Sequence, residues 1–211
     1  MDDCINIDED YNLMPVTING DGTITGLSVG GLGSGVVNNA TLANGAASGS
    51  KLTMPSGSII QAKSTTKTDV FTTTSGTFTD VTGLSVDITP TNSSNKILVR
   101  VFICGSGRSG YARCVARLVR DSTAIGNSSD AGSRMPGFAQ LYPSNDTSAV
   151  HTAGIEFLDS PGDTSSHTYK VQIANGNSTG DVMCINRNYD DGNNSNNHRY
   201  SSSISVMEIA V

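Results

Sequence analysis

The sequence predicts an all-β fold, an antiparallel β-sandwich or jelly roll preceded by an extended glycine-rich N-terminal segment. Three observations carry that prediction. Charged residues make up only 15% of the chain and aromatics 5%, with no Trp, whereas Gly, Ser, Thr and Asn crowd nearly every stretch. Such a mix favours short strands and many turns over long helices, whose surfaces need the Glu, Lys, Ala and Leu that are scarce here. From about residue 58 onward the apolar residues recur with a period of two, the spacing of strands with one buried face. Polar turn clusters then separate these runs at intervals of roughly eight to fifteen residues, as in sandwiches and jelly rolls.

The first segment, 1–57, is a different kind of chain. Its stretch VTINGDGTITGLSVGGLGSGVVNNATLANGAASGSKLTMPSG scatters single apolar residues such as Ile18, Ile24, Leu27, Val36 and Leu42 among Gly and Ala. Alone it buries too little apolar surface to offset the entropy of ordering it. Copies of itself around a symmetry axis would supply the missing contacts, with small residues allowing close approach. Residues 1–57 are therefore expected to be an assembled stalk, with a flexible linker as the alternative, and residues 58–211 a β-sandwich head.

Within the head, LSVDITP places Leu84, Val86 and Ile88 on one face, and KILVRVFI is a continuous apolar run suited to a buried strand. YARCVARLVR at 111–120, following the glycine cluster GSGRSG, is expected to be the return arm of a hairpin. TYKVQI alternates Tyr169, Val171 and Ile173, and SSISVMEIAV offers Ile204, Val206 and, after a change of phase, Ile209. Turns are expected at 89–95, 105–110, 126–133, 159–166, 175–181 and 190–197. Asp159 in FLDSPGD is expected to cap local amides ahead of Pro161.

Charge and motifs exclude several functions. Six acids against Lys51 put −5 of the net −6 into residues 1–57 and leave 58–211 nearly neutral, so no basic stripe exists for nucleic-acid phosphates. MDDCINIDED is acidic and lacks the apolar run of a secretory signal, and no stretch is long and apolar enough for a membrane span. Synthesis in the cytoplasm, without membrane insertion, is the expectation. Cys4, Cys104, Cys114 and Cys184 lack CxxC pairing and are expected to be buried free thiols. The N-x-[ST] sequons follow from the abundance of Asn, Ser and Thr.

GSGRSG fits G-x-G-x-x-G, yet no βαβ series follows it. GLSVG at 26–30 fits G-x-S-x-G without the preceding strand or the acid and histidine of a hydrolase. His151, His167 and His198 have no metal-ligand spacing and are expected at loops or strand edges. In NYDDGNN, placing Gly192 at the sixth position of a calcium loop puts Arg187 at the first, where a carboxylate belongs. The only glutamates of the head, Glu156 and Glu208, lie in strand-like phrases. No catalytic, cofactor or metal site is expected.

Several phrases resemble a domain at the C-terminal ends of tail-fibre and related appendage proteins of tailed bacteriophages, especially those infecting aquatic bacteria. They are GSIIQAKSTTKTDVFTTTSGTFTDVTGLSVDITPTNSSNKILVRV at 57–101, RLVRDSTAIG at 117–126, GIEFLDSPGDTSSHTYKVQI at 154–173, and CINRNYDD followed by SSISVMEIA within 184–210. The stalk phrases GDGTITGL and GVVNNATLANGAASGSKL also resemble repeats that join such domains to the virion. The resemblance implies a homotrimeric all-β head, C1q/TNF-like in outline, carried on a virion appendage. It implies no catalytic residues.

On that reading the partners are the chain itself, another virion protein (tail, baseplate, portal-adaptor or capsid) and a host cell-surface glycan or protein. Virion docking falls to the N-terminus, where Asp2, Asp3, Ile5, Ile7, Tyr11 and Leu13 stand in a stretch able to add a strand to a neighbour. Host contact falls to the loops 105–111, 127–150 and 186–200, because binding residues concentrate on loops held by a rigid scaffold. Tyr142 and Tyr189 can stack on a sugar face, and Asn188, Asp190, Asp191, Asn193, Asn194 and Asn196 can hydrogen-bond hydroxyls. A short chain without a long shaft suits a short tail fibre; a head or collar fibre, or a capsid decoration protein, is the alternative.

Overall fold

The computed structural model describes residues 17–18, 24–25, 54–108, 113–129, 132–141, 148–176 and 180–211. The chain divides between Thr53 and Met54. In the first unit, β1 (Thr17–Ile18) and β2 (Ile24–Thr25) pair antiparallel, with Ile18 opposite Ile24.

The second unit is all-β, and among the described residues it has no helix. Its strands are β3 (Ile59–Lys67), β4 (Phe71–Thr73), β5 (Thr79–Ile88), β6 (Lys96–Gly107), β7 (Cys114–Arg120), β8 (Thr123–Ile125), β9 (Ala139–Leu141), β10 (His151–Asp159), β11 (His167–Asn175), β12 (Met183–Ile185) and β13 (Ser202–Ile209). One antiparallel sheet is centred on β6, which pairs with β10 along one edge and with β13 and then β12 along the other; β3 flanks β13 and β4 flanks β12. A second antiparallel sheet runs β5-β11-β7, and β8 and β9 share the far edge of β7.

The inward residues of both sheets merge into one core. Leu84 and Ile88 of β5 and Tyr169, Val171 and Ile173 of β11 meet Ile97, Val99 and Ile103 of β6 and Ile204 and Val206 of β13. Burying each aliphatic side chain contributes about 1.5–3 kcal/mol, so the period-two pattern dominates the choice of face. Leu84, Val86, Ile88, Tyr169, Val171 and Ile173 are buried as their spacing predicts.

Several sequence expectations change. YARCVARLVR does supply a strand, but β7 does not return along β6; it crosses to the second sheet, because both edges of β6 are taken by β10, β13 and β12. The apolar run KILVRVFI is buried on one face only, since Phe102 remains 49% exposed. No change of phase occurs in β13: Glu208 continues the inward series of Ile204 and Val206, and Ile209 turns outward. Gly105 to Gly107 are strand, so the expected turn there begins later. A Cβ at Gly105 would meet Leu141 Cδ1 at 2.7 Å, which explains the glycine at this crossing.

Two polar clusters pin the sheets. Asp159 is not a local amide cap; at the buried end of β10 it accepts from Arg120 Nη1 at 2.6 Å and from the Tyr169 hydroxyl at 2.7 Å. His167 is buried at the start of β11, its ring nitrogens 2.8 Å from Asp121 Oδ2 and 3.2 Å from Asp163 Oδ1. Cys104, Cys114 and Cys184 are free and buried; Cys4 lies outside the described residues.

Candidate ligand-binding loop

Residues 186–200, in the connection from β12 to β13, gather most of the predicted contact residues. It starts at Asn186, whose positive φ of 66° turns the chain out of β12. The Asn186 amide donates to the carbonyls of Lys67 at 2.8 Å and Asp69 at 3.0 Å, and its oxygen accepts from Ser202 Oγ at 2.6 Å. Tyr200 N donates back to Asn186 O at 3.0 Å, so the two feet of the loop are joined. A further antiparallel bridge pairs Arg187 with Arg199.

Inside the loop, Asn188 is a brace. It has no exposed surface, its oxygen accepts from His198 N at 2.8 Å, and its amide donates to Ser148 O across to the β9–β10 connection. Both ends of this side chain are therefore in use, which makes it support for the loop instead of an outward donor. Arg187 works beside it, donating from Nη1 to Asn188 O at 3.1 Å and Tyr189 O at 2.9 Å. Asp191 holds the guanidinium groups of both Arg187 and Arg199.

The tip closes on itself. Asn194 N donates to Gly192 O at 2.9 Å, Asn197 Nδ2 donates to the same carbonyl at 2.9 Å, and Asn196 N donates to Asn194 Oδ1 at 2.9 Å. A Cβ at Gly192 would come within 2.9 Å of Asn194 Nδ2 and 3.3 Å of Asn197 Nδ2, so these two amides converge over a bare backbone. Between tip and Ser148 lies an open cleft of about 360 Å³ lined by Asp190, Asp191, Gly192, Asn194, Asn196 and Asn197.

Of the predicted contact residues, Asp190, Asp191, Asn194 and Asn196 line this cleft, Asn193 is exposed outside it, and Tyr189 is half-buried in the arm. Tyr142 and the docking residues Asp2, Asp3, Ile5, Ile7, Tyr11 and Leu13 lie outside the described residues. Sequence reasoning missed Ser148, Gly192 and Asn197. Asn197 stands in the same NNSNN run as its neighbours and could have been included; Ser148 is 40 residues from its partner Asn188, and nothing local marks it. Chemically the cleft offers carboxylate acceptors and amides that both donate and accept, the groups that recognise vicinal hydroxyls.

Comparison with protein-family models and with curated protein sequences found no match for the chain.

Proposed function

We propose that this chain is a virion fibre protein of a tailed bacteriophage, a short tail fibre or similar appendage that works by binding and not by catalysis. On this reading it is a homotrimer with jelly-roll heads of C1q/TNF outline, joined to the virion through residues 1–57. The 186–200 loop contacts a hydroxyl-rich glycan, or a protein, of the host surface. The observation that carries the reading is the braced loop: a two-sheet framework holds Asn188 and Arg187 inside while Asp190, Asp191, Asn194 and Asn196 face an open cleft. Preorganised donors and acceptors on a rigid scaffold lower the ordering cost of binding. Weak single sites, multiplied over three heads and several fibres, give firm adhesion.

The family-like phrases of the head and the uneven charge of the chain support the same division of labour. Non-catalytic action is supported by the two glutamates of the head: Glu156 is ion-paired with Arg100 and Glu208 is buried under four donors. The test is competition. Purified full-length protein is expected to coat host cells and slow phage adsorption, and the Asn194→Ala/Asn196→Ala variant to lose that effect while host polysaccharide keeps its length. Absence of competition, with imaging that places the chain on the capsid, would replace this reading by a head fibre or decoration protein.

A further inference from the structure

We propose that the outer face of the β10–β6–β13–β3 sheet is an interface between copies of this chain. The proposal rests on the fibre reading and names the surface through which its heads associate.

Strand β6 carries large apolar residues at inward and at outward positions, the pattern of a strand partly covered on both faces. In the single chain only its inward series is covered. Outward, Leu98 stands between Leu158 of β10 and Met207 of β13 in one cross-strand row, and Phe102, four residues along and beyond the Arg100 row, stands between Gly154 and Ser203. Phe102 is 49% exposed and Leu158 47%. Ile59 and Val211, 55% and 65% exposed, lie where β3 and the C-terminus meet at one end of the same sheet.

The outer face of the second sheet shows what this protein places against water. There Lys170 bonds Asp80 at 2.8 Å, Thr168 bonds Asp87 at 2.6 Å, and Arg117 bonds Gln172 at 2.8 Å while lying 3.9 Å over the Phe78 ring. Three cross-strand polar pairs, one of them an ion pair, thus lie on it beside the outward Val115 and Val119. On the β6 face Arg100 and Glu156 pair at 3.0 Å in the middle, Lys96 stands at the end opposite Ile209, and Ser203 and Ser205 supply small neutral neighbours. Large exposed apolar side chains on both sides of a self-neutralised pair, with small neutral neighbours, are the composition of a covered surface.

Its relief also suits a protein partner. Beside the Phe102 ring, Gly154 leaves a dent of about 430 Å³ walled by Arg100, Ile155, Glu156 and Ser205. A Cβ at Gly154 would lie 2.9 Å from the Val101 carbonyl, so the dent is built into the strand pairing.

The occupant is a second copy. Residues 58–211 carry a net charge of only −1, so like copies meet without strong repulsion. The chain enters this unit at Met54, itself 43% exposed, immediately before β3 and the Ile59 end of the face. Residues 1–53, whose sequence calls for association with their own copies, are covalently joined at that end, and tethering raises the effective concentration of one head near another.

The experiment is sedimentation velocity combined with hydroxyl-radical footprinting on the full-length chain, with Phe102→Asp and Leu158→Lys as variants. Both positions are exposed in the single chain, so far-ultraviolet circular dichroism should show the β-fold retained. The expected result is an assembled wild type in which Phe102 and Met207 are protected, with Met207 oxidation rising several-fold in Leu158→Lys. An assembled chain whose Phe102 is oxidised as a free ring overturns this face and leaves the fibre reading intact. A monomer at every concentration overturns both, and protection of Phe102 that appears only on adding host extract assigns the face to a foreign partner instead.

Discussion

Asn95 donates its side-chain amide to the buried carboxylate of Glu208 at 2.6 Å, tying the turn after β5 to the last strand of the other sheet. The same Oε1 accepts from Thr91 N and Thr91 Oγ1, both at 2.7 Å, and Oε2 accepts from Gln61 Nε2 at 2.7 Å. Four donors converge on one carboxylate, a number that no neutral isostere can accept. Glu208→Gln turns one acceptor into a donor facing donors, and is expected to cost about 3 kcal/mol from hydrogen bonds to a charged group. Urea unfolding measures it; a loss within error of zero would show that the turn does not depend on the carboxylate.

Acid should unfold the head through the same group. Burial alone would push the Glu208 carboxyl up, but the bonds from Asn95, Gln61 and Thr91 outweigh it and hold the group below its ordinary range. Asp121 behaves alike, the His167 ring and the Thr168 amide overcoming its desolvation. Carboxyls depressed in the folded state contribute stability that is present above their unfolded value, about 4, and is lost as the pH falls through the folded one. Thermal midpoints are expected to hold above about pH 5 and drop below about pH 4, with a shallower drop in Glu208→Gln.

What was legible in the sequence follows from these contacts. Leu84, Val86 and Ile88 announce their face because a strand's alternation is local. Glu208 does not, because its inward position reads as a break in the apolar series and its donors sit 113 to 147 residues away. The crossing of β7 into the second sheet depends on which edges of β6 are occupied, a property of the whole sheet. In the 186–200 loop the polar tip was visible as composition, whereas the brace was not: Asn188 differs from Asn194 and Asn196 only by its burial and by the reach to Ser148.

The Tyr169, Asp159 and Arg120 cluster predicts an alkaline limit. Burial, followed by the hydrogen bond to Asp159, pushes the Tyr169 hydroxyl well above the ordinary value for tyrosine. A raised group contributes stability that is complete below its unfolded value, about 10, and is lost as the pH rises through the folded one. Tyr169→Phe is expected to remove that loss above about pH 10 and to cost about 1 kcal/mol at neutral pH, as for one hydrogen bond. Asp159→Asn is expected to cost more, because Arg120 loses a carboxylate partner at 2.6 Å. Equal losses in the two variants would contradict this ordering.

The three buried thiols should be inert in the native state. Cys114 is fully buried and its thiol is pushed up to about 12 by desolvation, with Cys184 nearby adding to the shift. Desolvation likewise raises Cys104 and Cys184. Since the thiolate is the reactive form, a maleimide reagent is expected to leave all three unmodified in a Cys4→Ser chain until denaturant is added. Labelling of Cys114 at the same rate as a free thiol would mean that the β7 edge opens in the native state.

Asn186 couples the framework to the candidate loop and permits a graded test. Its side chain satisfies the carbonyls of Lys67 and Asp69 and the hydroxyl of Ser202, while its backbone, at φ 66°, donates to Cys104 O at 3.0 Å. Asn tolerates this left-handed conformation; alanine pays roughly 1 kcal/mol for it and glycine almost nothing. Asn186→Ala therefore loses three side-chain bonds and adds strain, an expected total of about 3–4 kcal/mol. Asn186→Gly loses the bonds without the strain and should recover about 1 kcal/mol of that. Because the loop is footed on this residue, both variants should also weaken binding of the full-length protein to host cells, whereas Gly162→Ala, at a positive-φ turn with open space around it, should cost stability and leave binding unchanged. A glycine variant less stable than the alanine variant would mean that the left-handed turn is not what Asn186 is there to supply.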